Sequence, residues 1–576
     1  MQQYLQIRDR KAERTFVPVD FQITDWESLE PFYQHLLSEE VQSLEDLENF
    51  LKMRNELDAM VEEELAWRYI RMTCHIDDED LKSAYSYYVE QIWPKVTIQS
   101  DLLNRKIAEH PAFSQLPDQP YLTYVRKLKR QIALFHEENI PLITKSQTLS
   151  REHGNIMGAM TITHEGKELT IQQASKLLEA PDRTLREEAW SKIHARRNQD
   201  AERLQDVFDE LLELRNQIAV NAGYPNYTQY KFDQLGRFDY TLEDTHLFHD
   251  AVEAEVKPIY EALLRERQGK LGLDTLRPWD LSVDIFGSSP LHPFDSAEEL
   301  RDKTIDILRR IKPELGDMIQ IMVDRGFMDL ESRKGKAPGG YNYPLMESGV
   351  PFIFMNAAGT QVDVTTILHE AGHAIHSFFT SKIPINALKQ TPSEVAELAS
   401  MSMELLSLDG YDEFYSSEAD RARAKKNQLL RCISVIPWIA TIDAFQQWLY
   451  NNPTHTREER AAKWRECYHR FHGNLVDWTG FEGYFDQFWI KQGHVFDVPF
   501  YYIEYGLAQL GALAVWKNYR QNPAEGLEAY LSALQLGYMA PIPKIYEQAG
   551  IEFNFSKDYV RECMTYCKES YDELAV

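Results

Sequence analysis

Cysteine is scarce and scattered. The 576 residues hold five, Cys74, Cys432, Cys467, Cys563 and Cys567, and no two stand in a C-x-x-C spacing. An odd, dispersed set argues against a disulfide framework and against a cysteine-built zinc site, which needs four ligands. Cys563 and Cys567, four apart, read as two thiols on one helix face. Positive charge is also short. Lys and Arg number 62 against 90 Asp and Glu, a formal charge of −28. Phosphate recognition needs clustered Lys and Arg, so nucleic acid is an unsuitable partner. The same deficit speaks against an anionic membrane surface. An acidic balance mainly favours solubility, and an acidic cavity would favour positively charged peptides. Long hydrophobic runs are missing as well. No stretch reads as the roughly 18–20 apolar residues of a membrane span. The opening MQQYLQIRDRKAERTF has no apolar segment of a secretory signal. The expected location is the cytoplasm. No repeat, low-complexity tract or flexible linker stands out.

What is present is helical patterning over a length that allows two to four domains or one large body. Between Trp26 and His75 apolar residues recur three and four apart, as in an amphipathic helix pair or one long helix. Glu62, Glu63 and Glu64 read there as a solvated face. More helices follow from Asp80 to Gln147, broken at Pro94, Pro111, Pro117, Pro120 and Pro141. Thr161 to Ile171 alternates about a glycine, as a β-hairpin does. Asp182 to Asn221 reads as two long helices. The chain divides into a helical region at 1–190, carrying the hairpin near 160–171, and a catalytic domain at 191–576. Lys334 to Tyr343 reads as a flexible loop in which Gly339 and Gly340 permit close backbone approach. Pro351 to Asn356 reads as a short strand whose edge would pair with an extended peptide.

The chemistry concentrates in Asp363-Val-Thr-Thr-Ile-Leu-His369-Glu370-Ala-Gly-His373-Ala-Ile-His376. Asp363 is the expected N-cap. His369 and His373 are four apart, so on a helix they share a face and can share one tetrahedral zinc. Glu370 projects to one side, where it reaches water on the metal rather than the metal itself. Zinc brings that water's pKa towards about 7, and the carboxylate takes its proton as it attacks a carbonyl. The alternative is two histidines on an ordinary polar helix face. His376 supports the site by a hydrogen bond or fills a cavity wall.

The third ligand is expected from Thr391-Pro-Ser-Glu394-Val-Ala-Glu397. Thr391, Pro392 and Glu394 suit the N-cap, first and third positions of a capping box, which gives Glu394 a structural task. Glu397, one turn deeper, is therefore preferred as ligand, with Glu394 as the alternative. Glu404, seven residues on, either orients a ligand or forms a surface ion pair. His494, Tyr502 and Tyr505 are candidates to stabilise the oxyanion, although most of the 30 tyrosines are packing residues.

In order along the chain, Lys336-x-Pro338-Gly339-Gly340-Tyr341, Pro351-Phe-Ile-Phe-x-Asn356, H-E-A-G-H-A-I-H, P-S-E-V-A-E and H-x7-Y-I-x-Y resemble the oligoendopeptidase F and Pz-peptidase group, relatives of thimet oligopeptidase and neurolysin. The resemblance covers most of 180–576. It is less distinct before that, where Asp182-Arg183-x-x-Arg186 and the hairpin fit it. It implies a mainly α, two-lobed helical body with a deep substrate channel and a small β-sheet next to the HExxH helix. It implies one zinc held by His369, His373 and Glu397, with Glu370 as general base. It places the transition-state residues at His494, Tyr502 and Tyr505, with adjacent Tyr501 leaving the register open by one. The Y-I-x-Y spacing is similar to that of angiotensin-converting enzyme. The implied activity is internal cleavage of short unstructured peptides. A metallocarboxypeptidase in a similar channel and an inactive peptide-binding protein are the alternatives. Cobalt or manganese could replace zinc at such ligands. Oligomeric state, monomer or dimer, is left open.

Overall fold

The computed structural model describes residues 1, 14–286 and 289–575. Most of the segment read for a secretory signal lies outside the described residues. The architecture is mainly α, with short strands in a hairpin and one small sheet.

The patterned stretch after Trp26 forms two helices, Trp26–Ser38 and Leu44–Cys74, each begun by a capping box, Asp25 with Ser28 and Ser43 with Asp46. The acidic run on the second helix is a contact surface, not a solvated face. Glu63 accepts the backbone N–H groups of Glu347 (2.8 Å) and Ser348 (2.7 Å). Glu64 pairs with Arg68 at 2.8 Å. Glu62 accepts from Gln390 at 3.2 Å, and burial near Asp58 pushes its carboxyl up to about 7. Distant segments supply the partners of Glu62 and Glu63, so local sequence does not show them; only the Glu64–Arg68 pair has a local i,i+4 spacing. Pro120 and Pro141 lie within the first turns of Asp118–Leu134 and Asn139–Gly158, where a missing N–H leaves no helical bond unmade. Pro94 does not break its helix either: it directly follows the π-turn Tyr88–Ile92, which joins Glu79–Tyr87 to Trp93–Glu109.

Buried apolar side chains form two main cores. The smaller runs from Val17 to Leu128 and takes in Ile383, Ile385 and Leu388 from the other half of the chain. The larger runs from Ile156 to Tyr571. Fully buried members pass from one core to the other between Leu128 and Ile156. The hairpin of β1 (Thr161–His164) and β2 (Lys167–Thr170) contributes Ile162 to the larger core. Its turn holds Glu165 and Gly166 at positive φ, 49° and 77°, the twist a two-residue hairpin loop requires. Arg183–Gln199 and Ala201–Asn221 follow as the two long helices.

One expectation about apolar runs needs correcting. Glu418–Asn451 is long and apolar enough to cross a membrane, with a window of mean hydropathy 1.3. That window is 67% buried within the body. The helix is a core element, as long apolar helices of large proteins often are.

The small sheet sits beside the site. β3 (Met328–Glu331) runs parallel to β5 (Phe352–Ala357), and β4 (Tyr341–Tyr343) antiparallel to it, in the order β3-β5-β4. β5 is thus central and both its edges are used. The strand expected to offer an edge to substrate has none, and β4 is the edge strand instead. The Lys334–Tyr343 loop is pinned rather than flexible. The Lys336 ammonium donates to Asp329 Oδ1 (2.8 Å) and to the carbonyls of Asp329, Glu331 and Met355. Asn356 Nδ2 donates to the carbonyls of Ala337 and Gly339. Gly340 lies so close to β5 that an added Cβ would stand 3.4 Å from the Phe354 carbonyl.

Candidate active site

From β5 the chain turns through Gly359, at φ 89°, into the helix Gln361–Thr380. Its N-cap is Thr360, not Asp363. Asp363 is the third helical residue and completes a capping box with Thr360. A threonine before the expected start supplies the same oxygen, which moves the cap three residues upstream. The next helix, Ser393–Leu406, has Pro392 at its N-cap and no side-chain capping bond. The capping box expected of Thr391 and Glu394 is absent. Glu394 is instead engaged by the Tyr240 hydroxyl at 2.6 Å, with Arg237 3.9 Å away.

Gly372 lets these two helices meet. A Cβ there would stand 2.6 Å from Ser400 Cα and 2.7 Å from the Ala399 carbonyl. The close crossing brings Glu397 and Glu404 under the histidines. His369 Nε2 is 3.3 Å and His373 Nε2 3.6 Å from Glu397 Oε2, and the three donor atoms lie within 4.8 Å of one another. Ligands at zinc distances of about 2.0–2.1 Å in a tetrahedron stand about 3.3 Å apart, so the donor set fits such an ion. Both imidazoles remain 18% exposed, while Glu397 is 3% exposed. The open face is on the histidine side.

Supporting bonds fix which atoms are free. Thr365 Oγ1 donates to Gln428 Oε1 (2.9 Å), and Gln428 Nε2 donates to Glu404 Oε2 (2.6 Å). Glu404 Oε1 lies 2.7 Å from His369 Nδ1. Ring N–H donation to that carboxylate leaves the Nε2 lone pair for a metal. The Tyr501 hydroxyl donates to Glu397 Oε1 at 2.7 Å, which leaves Oε2 facing the histidines. Burial would lower His369, but Glu397 and Glu404 outweigh it and raise its pKa, so a bound cation would take the place of the Nε2 proton between the ring and Glu397. Glu370 is buried, and its Oε2 has no hydrogen-bond partner among the described residues. Burial pushes its carboxyl up to about 7.

A second group faces the same space. Trp438 Nε1, which can only donate, is 3.0 Å from Gln492 Oε1, and the Tyr502 hydroxyl donates to the same oxygen at 3.2 Å. Gln492 must therefore turn its Nε2 to His494 Nδ1, 2.7 Å away. Nδ1 accepts, so the ring proton sits on Nε2, 3.5 Å from the Tyr505 hydroxyl. Burial holds His494 down at about 4, so the ring is neutral at neutral pH. The backbone turns sharply just before the tyrosines. Phe500 is buried at φ 66°, a strained conformation for a bulky residue, held by Gln446 at its N–H and Arg237 at its carbonyl. His376 lines the cavity wall beside His373.

The structure thus brings His369, His373 and Glu397 together, with Glu370 alongside and His494 next to Tyr505. Tyr502 turns its hydroxyl to Gln492, and Tyr501 takes the position on Glu397. The sequence pattern did not point to Gln428, Gln492 or Trp438: Gln428 and Trp438 meet partners 24 and 54 residues away, and Gln492, only two residues from His494, carries no motif signal of its own. A cavity of about 320 Å³ adjoins the triad, lined by His373, His376, Tyr501, Asn342 and Gln390. A larger one, about 630 Å³, shares Gln390 and Thr391 with it and continues past Glu62, Lys127 and Tyr230 between the two cores.

The model of peptidase family M3 matches residues 176–565, and that of the peptidase M3 N-terminal domain matches 16–135. The chain belongs to peptidase family M3. An oligoendopeptidase F homolog of Mycoplasma pneumoniae is 29% identical over 261 residues, 42% of this chain and 40% of that protein. The group B oligopeptidase PepB of Streptococcus agalactiae is 21% identical over 71% of this chain and 67% of its own length. The match to the Mycoplasma protein thus spans about two fifths of that relative. A solved structure of Pz peptidase A with inhibitor 2 superposes with a TM-score of 0.91 at 25% identity, covering 98% of this chain and 99% of that one. The oligoendopeptidase-F of Enterococcus faecium shares the fold at TM-score 0.65 and 16% identity, over 95% and 97% of the two chains. The resemblance to the oligoendopeptidase F and Pz-peptidase group is borne out, as is the mainly α fold.

Proposed function

We propose that this M3 chain is a zinc-dependent endopeptidase that cuts internal bonds of short unstructured peptides in the cytoplasm. The observation that carries this reading is the partnerless buried oxygen of Glu370 beside a three-donor metal set whose His373 lines a cavity. His369, His373 and Glu397 would hold the ion. When bound, zinc supplies Lewis acidity, polarising a carbonyl and acidifying water.

The chain's own groups do the rest. Glu370 takes a proton from the attacking water and returns it to the leaving amine, a task suited to a buried carboxylate oxygen that no protein donor occupies. His494 Nε2–H and the Tyr505 hydroxyl donate to the oxyanion as it forms. Tyr501 keeps Glu397 turned to the histidines. Tyr502 acts through Gln492 as a positioning residue. The β4 edge offers unpaired backbone groups to an extended peptide. Folded proteins would be excluded by a site that lies inside the body. Five buried free thiols suit a reducing compartment.

The test is product identity. The zinc-loaded protein is given a decapeptide with blocked termini, before and after chelation, and fragments are weighed by mass spectrometry. Internal fragments that vanish on chelation and return with zinc are expected. Release confined to C-terminal residues of an unblocked peptide would replace this reading with a carboxypeptidase. Intact peptide with zinc bound would replace it with a binding protein.

A further inference from the structure

Behind the His494 cluster lies a second polar site with the opposite charge character. His194 and Arg197 project from the helix Arg183–Gln199, and Lys491 from the turn Phe488–Lys491. All three line one small cavity of about 20 Å³, with Asn198, Tyr484 and Gln487 as its other polar walls and no Asp or Glu. In a chain with 90 acidic side chains this absence is notable. Among the described residues no carboxylate lies near enough to raise the pKa of Arg197 or Lys491; burial lowers Arg197 to about 10, and burial with Arg197 lowers Lys491 to about 7. Arg197 Nε is buried without a hydrogen-bond partner. His194 is 7% exposed, and its ring contacts are aromatic: Trp190 at 4.1 Å and Phe488 at 5.6 Å. Lys491 Nζ sits over the rings of Phe488 (3.6 Å) and Trp438 (4.6 Å).

Aromatic faces attract a cation but do not neutralise it. Two cations crowded in low dielectric repel and remain costly unless paired. A cavity this size holds about one water-sized particle, which excludes phosphate or an organic acid. We propose that Arg197, Lys491 and His194 form a binding site for a monatomic anion of the chloride class. The site bears on the reaction centre through the chain: Lys491 precedes Gln492, and Trp438, which Lys491 covers, donates the bond that sets the orientation of Gln492 and the tautomer of His494.

The experiment is the unfolding midpoint of the full zinc-loaded chain at constant ionic strength, with sodium chloride exchanged for sodium gluconate. A specific anion held only by the folded state raises the midpoint, by about 2 °C for a chain this long at a hundredfold excess over Kd. Lys491→Met and Arg197→Met are each expected to abolish the difference between the salts. Should a variant fail to fold, bromide soaked into wild-type crystals provides the second readout, an anomalous peak between Lys491 Nζ and the Arg197 guanidinium. Equal midpoints in the two salts, or a cavity without bromide, would overturn the proposal and leave Lys491 as a neutral amine. Neither readout depends on peptide cleavage, so its failure is separable from that of the peptidase reading.

Discussion

Replacing Gly372 by alanine tests whether the close crossing of two helices builds the metal site. The added Cβ would lie 2.6 Å from Ser400 Cα and 2.7 Å from the Ala399 carbonyl. Both neighbours are backbone and cannot rotate away. To reach an ordinary contact of 3.4 Å the helices must part by about 0.8 Å. Glu397 lies one turn before Ser400 on the displaced helix, so its carboxylate moves with it, as does Glu404 on His369. Overpacking of this kind costs about 1–3 kcal/mol, partly offset by alanine's helix preference of about 1 kcal/mol over glycine. A comparable displacement of metal-supporting groups lowers affinity about 10–100-fold. The assay pairs a zinc-competition titration with thermal unfolding of the metal-free protein. Gly154→Ala is the control, because nothing lies within 4 Å of its added Cβ. Weaker zinc binding and a lower midpoint are expected for Gly372→Ala alone. Wild-type affinity in a stably folded Gly372→Ala protein would refute the argument.

Glu404→Gln removes the charge and leaves one accepting oxygen for two donors, His369 Nδ1–H and Gln428 Nε2, so zinc affinity should fall about 10–100-fold, with cleavage restored at excess metal; a chelator-competition titration reads this. Tyr505→Phe should lower kcat about 10²–10³-fold with zinc retained, while Tyr502→Phe, whose hydroxyl meets Gln492, should cost less than about tenfold; steady-state kinetics on one peptide separates them. Asp280 is buried among Arg183, Arg186 and the Arg277 N–H. Burial would raise it, but these donors outweigh burial and lower its pKa. A lowered carboxyl binds fewer protons folded than unfolded, so its stabilisation is present above the unfolded pKa near 3.9 and fades as pH falls through the folded value. Asp280→Asn should cost about 3–5 kcal/mol at neutral pH by orphaning Arg186, and should flatten the acid limb of a denaturation series.

The legible parts of this protein are those governed by short spacing. Two histidines four apart, the hairpin about Gly166 and the helix pair after Asp182 are local patterns, and each stands where its period placed it. Glu397 could be preferred over Glu394 from helix position, although the reason given, a capping box at Thr391, is not what occupies Glu394. Tyr240, from a distant segment, is. The same limit explains the acidic run at Glu62, whose partners come from residues near 347 and 390. It also explains β5, which reads as a strand but takes its central place from β3 and β4. Tyr501 and Tyr502 are adjacent and chemically alike. Only the strained turn at Phe500 decides which hydroxyl meets Glu397.

Under the proposed function Glu370 moves the proton while the histidines and Glu397 hold the metal. Glu370→Gln keeps the shape of the side chain and removes its basicity. Wild type and variant, both with zinc measured, are incubated with a peptide of about ten residues and the products weighed. Internal cleavage by wild type, near-complete loss in the variant and equal zinc in both are expected. Equal cleavage by the two proteins would contradict that role of Glu370.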